Sequence, residues 1–281
     1  MWFRKIAVMA AISVVSVSAE EAAFPSIVKT PQLSLELVSE QDAIVPGRPF
    51  TLGLRIVHAP KYHTYWEYPG VVGLPTKFEW KLPPGFSASP IQWQRPELTK
   101  MGELTVYGYE GDTLLLVELK APEDLKTGVN VVLNTRVVYM ACAATCHPGF
   151  VDMGLELPVA EGAKPDPKLA AAFKRVRDGF AVASDAWAFS GSGDMKNLRL
   201  VLTPGQNANT GVEDYYFFDR DGQVDSDKPF TFSRDNDKFI VDMKRVDWAE
   251  GLPRRIRGIL VAEDTWELGL SREAIAVDIQ W

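Results

Sequence analysis

The sequence predicts an all-β protein: two β-sandwich domains joined by a short helical linker. Three observations carry this. Residues 32–160 alternate apolar and polar side chains with period two, residues 161–184 are turn-rich with one helical pattern, and short strand signals resume after Trp187. With a leader segment set aside, about 260 residues remain, room for two domains of ordinary size.

The elements follow in order. Residues 1–19 read as a secretory signal peptide. Arg4 and Lys5 are its basic start, Ile6 to Val15 is apolar apart from Ser13, and Val17-Ser18-Ala19 supplies small residues for cleavage. The apolar run is too short to span a bilayer, and no later stretch reaches 18 apolar residues. An exported, periplasmic protein without membrane insertion is expected. The first domain, residues 30–160, is expected from Leu33–Val38, Phe50–Val57 and Val129–Tyr139, which alternate cleanly. Pro46-Gly47, Pro69-Gly70, Pro83-Pro84-Gly85 and Gly128 punctuate them. In the linker, residues 161–184, Asp166 is expected to cap a helix with Pro167 at its first position and Gly179 at its end. Leu169, Ala172, Phe173, Val176 and Phe180 recur at helical spacing and form one apolar face. The second domain, residues 185–281, is expected from Leu198–Leu202, Tyr215–Phe218, Phe239–Met243, Ile256–Val261 and Ala274–Ile279.

Charge narrows the partners. The chain carries 30 basic and 37 acidic residues. Loss of residues 1–19 removes two basic groups, leaving 28 against 37, a balance of −9. Such a surface argues against nucleic acid or an anionic membrane as partner.

Cys142 and Cys146 are the only cysteines. Closing so short a loop stabilises a fold by only about 2 kcal/mol on the chain-entropy model. Reactivity or metal binding explains the pair better than stapling does. The two follow a long alternating strand that ends at Tyr139, in a connection expected to turn at Pro148-Gly149 before a strand from Val151. A hairpin-like connection there brings the sulfurs within bonding reach. Small neighbours at Ala143, Ala144 and Thr145 leave them accessible, and His147 stands beside Cys146 as a candidate to lower its pKa or move its proton.

Three readings compete: thiol–disulfide exchange, a copper site of Cys142, Cys146 and His147, and an inert disulfide. Zinc fits poorly, since structural sites take four protein ligands and the chain has three histidines. The aromatic cluster Tyr62, His63, Tyr65, Trp66 and Tyr68 reads either as a lid or partner surface near the cysteines or as core packing. His63 is read as a packed histidine rather than a third metal ligand. Asp219, Asp221, Asp225 and Asp227 lack the glycine and glutamate spacing of a calcium loop and read as a turn. Arg254, Arg255 and Arg257 read as strand-edge charge.

Pro69-Gly70, Gly73-Leu-Pro-Thr76, Trp80, Leu82–Phe86, Trp93 and Tyr107-Gly-Tyr-Glu110 precede the cysteine segment in one order. Together they resemble the periplasmic N-terminal region of DsbD-type thiol:disulfide interchange proteins, and most of all the ScsB branch. The likeness continues through Phe217-Phe218 and Gly258–Leu260. It implies an immunoglobulin-like first domain, and with it two immunoglobulin-like sandwiches in all. It implies a redox pair in which Cys146 forms the mixed disulfide and Cys142 resolves it, with no cofactor. Any enzymatic activity would be that of a thiol:disulfide oxidoreductase of the protein-disulfide reductase type. The expected partners are thioredoxin-like proteins or a separate membrane electron carrier, because the sequence shows no transmembrane helix and no CxxC of its own. Tyr107, Tyr65 and Trp66 are expected to wall the site. Val106 stands where the family has an aromatic shield.

Overall fold

The computed structural model describes residues 23–281; the signal-peptide expectation for residues 1–19 lies outside them. No helix in the described part is long and apolar enough to cross a membrane.

The first part of the chain holds β1 (Ile27–Lys29), β2 (Leu33–Ser39), β3 (Pro49–His58), β4 (Thr64–Gly70), β5 (Lys77–Lys81), β6 (Ser87–Ala88), β7 (Glu97–Met101), β8 (Leu104–Tyr109), β9 (Asp112–Lys120), β10 (Asn130–Cys142) and β11 (Cys146–Pro158). One sheet runs β1-β2-β3-β9-β6 and another runs β11-β10-β5. Their inward residues meet in one core: Phe50 and Leu52 of β3, Val117 and Leu119 of β9, and Leu133 and Leu157 of β10 and β11. Period-two alternation produces this, since every second side chain points inward. A third sheet runs β4-β8-β7.

Helix α1 (Ala170–Asp178) follows. It starts three residues later than its capping signals suggest. Asp166 instead closes a turn: its carboxylate accepts the Lys168 N–H at 2.8 Å, and its carbonyl accepts those of Leu169 and Ala170. Gly179 ends the helix as expected. Phe173 and Val176 bury against Val38, Leu114 and Leu116, with Leu169, Ala172 and Phe180 alongside.

The remainder holds β12 (Trp187–Gly193), β13 (Asn197–Pro204), β14 (Tyr215–Asp219), β15 (Thr231–Asp235), β16 (Lys238–Lys244), β17 (Arg255–Ala262) and β18 (Ala274–Gln280). Sheet β12-β13-β16-β15 faces sheet β14-β17-β18 across a core of Leu200, Leu202, Phe239, Val241, Phe217, Leu260 and Ile275. The fold is thus nearly all β, as the alternation requires.

The two sandwiches share apolar packing. Phe218 of β14 and Ile259 of β17 join the cluster of Trp66, Tyr107, Leu35, Leu54, Val137 and Tyr139. The Tyr107 and Phe218 rings lie 5.0 Å apart, edge to face. Arg220 pairs with Glu67 at 2.9 Å across the same junction and lies over the Trp66 ring.

One local expectation fails at the site. Strand β10 does not stop at Tyr139 and β11 does not wait for Val151. Both run on until Cys142 faces Cys146, the last pair of a register that begins at Asn130 and Pro158. Pro148 and Gly149 therefore lie in strand rather than in a turn. Proline is tolerated because β11 is an edge strand of its sheet. Gly149 is needed because a Cβ there would stand 2.8 Å from the Tyr139 ring.

Candidate functional site

The hairpin tip carries a Cys142–Cys146 disulfide, Cα atoms 4.1 Å apart. Ala143, Ala144 and Thr145 form the turn, closed by the Ala143 N–H donating to the Thr145 carbonyl. The two sulfurs differ in access. Cys142 is 0% exposed, while Cys146 is half-buried. Cys142 lies on a strand flanked on both sides: Cys146 pairs with it from one direction and His63 from the other.

Strand alternation sorts the neighbours. Cys142, Tyr65 and Val106 form one buried cluster, with Val71, Val72, Met101, Met140 and Cys146 packed on it. Val106 thus covers the disulfide as an aliphatic wall. The Tyr65 hydroxyl lies 3.7 Å from the Cys146 sulfur. With both sulfurs bonded to each other, only the hydroxyl has a proton to donate. Burial pushes Tyr65 up to about 12, so the hydroxyl keeps that proton at neutral pH. The Tyr65 ring is fixed by Gly73, whose φ is +124° and where a Cβ would lie 2.3 Å from the ring.

Three of the expected site residues face elsewhere. Trp66 and Tyr107, each one position from a residue of the sulfur cluster, point to the opposite face and pack on Phe218. Tyr107 meets Tyr216, hydroxyl to hydroxyl, at 3.5 Å, and burial raises its pKa well above the usual phenol value. His147 follows Cys146 directly, so it too takes the other face. It packs on Tyr62 with ring centroids 5.8 Å apart, and its Nε2 lies 3.1 Å from the Thr145 hydroxyl. The physical reason is the same in each case: consecutive strand residues alternate faces. The alternative copper set of Cys142, Cys146 and His147 is accordingly not brought together. Among the described residues no group of three or more His, Cys, Asp or Glu is placed to hold a metal ion.

The second sandwich holds the cover in place, which the sequence does not reveal. Ser226 is buried and lies between β14 and β15. Its hydroxyl donates to the Thr105 carbonyl at 2.7 Å and accepts the Val71 N–H at 3.1 Å. Asp227 accepts the Thr105 N–H at 3.0 Å. Val71 and Val106 sit directly on the sulfur cluster, so these three bonds tie both covering segments to the far domain. Gly70, at φ +87°, admits the approach: a Cβ there would lie 2.3 Å from the Ser226 oxygen. The acidic stretch turns as expected, except that Asp219 is the last residue of β14 and is buried rather than solvated. Asp219 accepts backbone N–H groups from Asp221, Gln223 and Val224.

His63 is 0% exposed with both ring nitrogens unpartnered. Burial, reinforced by nearby His58, lowers its pKa from 6.5 to about 4. The neutral imidazole is therefore favoured in the folded state. This contribution is complete above pH 6.5 and is lost as pH falls toward 4. The shift corresponds to about 3 kcal/mol. We expect urea stability to fall over that window and to fall markedly less in His63→Phe. Asp219, pushed up to about 6 by burial, acts in the opposite sense in both proteins, so the difference between them isolates His63.

Fold and site define a two-sandwich β-protein with one disulfide at a hairpin tip, one sulfur reachable and the other buried. Residues 34–157 match the family described as thiol:disulfide interchange protein DsbD, N-terminal. The crystal structure of the N-terminal periplasmic domain of ScsB from Proteus mirabilis is similar with a TM-score of 0.65 at 16% identity, covering 90% of this chain and 97% of that one. That likeness is one of fold, and it extends past the family match into the second sandwich. The YadV chaperone (10% identity, 87% and 99% of the two chains) and the BcpA major pilin of Bacillus cereus (7%, 88% and 67%) reach TM-scores of only 0.24 and 0.27 and carry no argument. No curated protein matches the chain.

Proposed function

We propose that this is an exported periplasmic protein that exchanges disulfides with partner proteins through Cys142 and Cys146. Residues 30–160 form the redox domain, 161–184 the linker and 185–281 a second sandwich that supports the cover of the site. Cys146 meets the partner's sulfur and Cys142 resolves. The observation that carries this is the asymmetry of access: the half-buried sulfur is Cys146 and the sealed one is Cys142. Exchange needs one sulfur that a visiting thiolate can reach and a second held close to displace it. The Tyr65 hydroxyl beside Cys146 is placed to stabilise negative charge on that sulfur when the bond opens. Thioredoxin-like proteins, or a separate membrane electron carrier, are the partners that fit the family.

The midpoint potential separates exchange from a fixed staple. Equilibration with glutathione is expected to place it between about −120 and −270 mV, the span of exchange proteins. A value below about −300 mV, where structural disulfides lie, would refute the proposal.

A further inference from the structure

His63 precedes β4 and exchanges two backbone hydrogen bonds with Cys142, each 2.9 Å long. Antiparallel residues paired in this way carry their side chains on the same face, with Cα atoms about 5.5 Å apart. The imidazole is thus the cross-strand neighbour of the Cys142 side chain. It also packs edge to face on Tyr65, with centroids 5.0 Å apart, on that same side. His58 offers a contrast: one ring nitrogen lies 2.9 Å from the Gly111 carbonyl and the other 2.9 Å from the Thr64 hydroxyl. In His63 neither Nδ1 nor Nε2 has a partner.

A buried polar atom without a hydrogen bond is destabilising, and an apolar ring would fill the same space without that penalty. Packing therefore does not account for a histidine here. A partner that exists only in another redox state does. While the disulfide is closed, the Cys142 sulfur has neither proton nor charge. When it opens, that sulfur becomes a thiol sealed under Val71, Val106 and Tyr65, where water has little access.

Resting on the exchange reading above, we propose that His63 is the proton acceptor for Cys142 when it resolves a mixed disulfide at Cys146. The step balances as follows. The Cys146 thiolate attacks a disulfide R–S–S–R, forming Cys146–S–S–R and releasing R–S⁻, which takes up the proton that Cys146 gave to water. Cys142–SH passes its proton to an unpartnered nitrogen of His63. The Cys142 thiolate attacks the Cys146 sulfur and forms the Cys142–Cys146 disulfide, the S–S bond between the Cys146 sulfur and R–S breaks, and its electron pair leaves on R–S⁻. That thiolate takes the proton from the imidazolium, directly or through water. Two electrons have left the cysteine pair, one R–S–S–R has become two R–SH, and His63 is neutral again. The titratable groups facing the imidazole are His58 from β3, Tyr65 from β4, and Cys142 and Cys146 from β10 and β11. His147 lies on the other face. Burial leaves the imidazole neutral at pH 7 with a free lone pair but weakens it as a base; the ion pair it forms with the Cys142 thiolate at close range offsets that weakening.

The test uses the intact chain, reduced and mixed with oxidised glutathione, then acid-quenched and weighed by mass spectrometry. In the wild type, the Cys146–glutathione adduct forms and decays. In His63→Phe, the adduct forms at the same rate but decays about 100-fold more slowly at pH 7, as expected for loss of a positioned base. Its decay then accelerates about tenfold per pH unit as Cys142 ionises without help, while the wild-type profile is flatter. Equal decay rates and equal pH profiles would overturn the proposal. Imidazole NMR shifts of the wild-type chain provide a readout that needs no variant: the His63 pKa rises by at least one unit on reduction of the disulfide. An unchanged value would also overturn it. A wild type that never forms the adduct defeats the exchange reading instead, and the NMR comparison still decides the role of His63.

Discussion

Cys142→Ala is expected to convert this protein into a trap. Cys146, half-buried at the hairpin tip, remains able to attack a partner's disulfide, and the mixed disulfide then has no second thiol to displace it. Net turnover should fall at least about 100-fold, while adducts through Cys146 accumulate on non-reducing gels. The reciprocal change, Cys146→Ala, should capture almost nothing, because Cys142 is 0% exposed and a visiting thiolate does not reach it. The pairing of outcomes matters more than either alone. Equal capture by the two variants would show that access does not distinguish the sulfurs, and the assignment of roles would fail. Stability is a minor complication. Losing so short a disulfide loop removes about 2 kcal/mol, less than the stability of a typical domain.

The second large effect concerns a residue far from the cysteines in sequence. Ser226→Ala removes the hydroxyl that receives the Val71 N–H and donates to the Thr105 carbonyl. Both backbone groups lose their partner, and each buried polar group left unpaired is destabilised by about 1–3 kcal/mol. That loss falls on the closed cover, since an opened cover satisfies the same groups with water. A shift of about 1.4 kcal/mol in the opening equilibrium is a factor of ten. Reduction of the disulfide by dithiothreitol should therefore accelerate roughly tenfold, and the Val71 and Thr105 amides should exchange faster by a similar factor. Asp227→Ala should act in the same direction through the Thr105 N–H alone, and more weakly. Faster reduction with global stability lowered by no more than about the same 1–3 kcal/mol identifies a latch. An unchanged reduction rate in Ser226→Ala would show that the cover does not limit access.

The two effects touch different steps. On the proposed exchange, Cys142 would govern what happens after a partner's sulfur has bonded, whereas Ser226 would govern how readily it arrives. They also give the second sandwich a physical task. Through Phe218 and Ile259 it shares a core with the first, and through Ser226 and Asp227 it grips the two segments that roof the disulfide.

Much of this protein is written in local pattern. Period-two alternation is enough to place strands over Leu33–Val38 and Phe50–Val57, within a residue of their ends in the structure, because one face of each must be buried for the sheet to be stable. The apolar face of α1 was legible for the same reason, down to Phe173 and Val176. So was the cysteine pair, since no other thiol competes for either partner. Pattern failed where a residue's role depends on what lies across from it. Pro148-Gly149 is a turn signal taken alone, yet an edge-strand position tolerates the proline and the Tyr139 ring demands the glycine. His147 is the neighbour of Cys146 along the chain and points away from it. His63 is 79 positions from Cys142 and stands beside it on the same face. Sequence alone determined that strands form, that they stack into sandwiches, and that two sulfurs can meet, because these depend on spacing within a short window. Only the tertiary structure decided which sulfur is open, which histidine attends the closed one, and that Ser226 holds the roof, because strand register and domain docking bring together groups that no local rule connects.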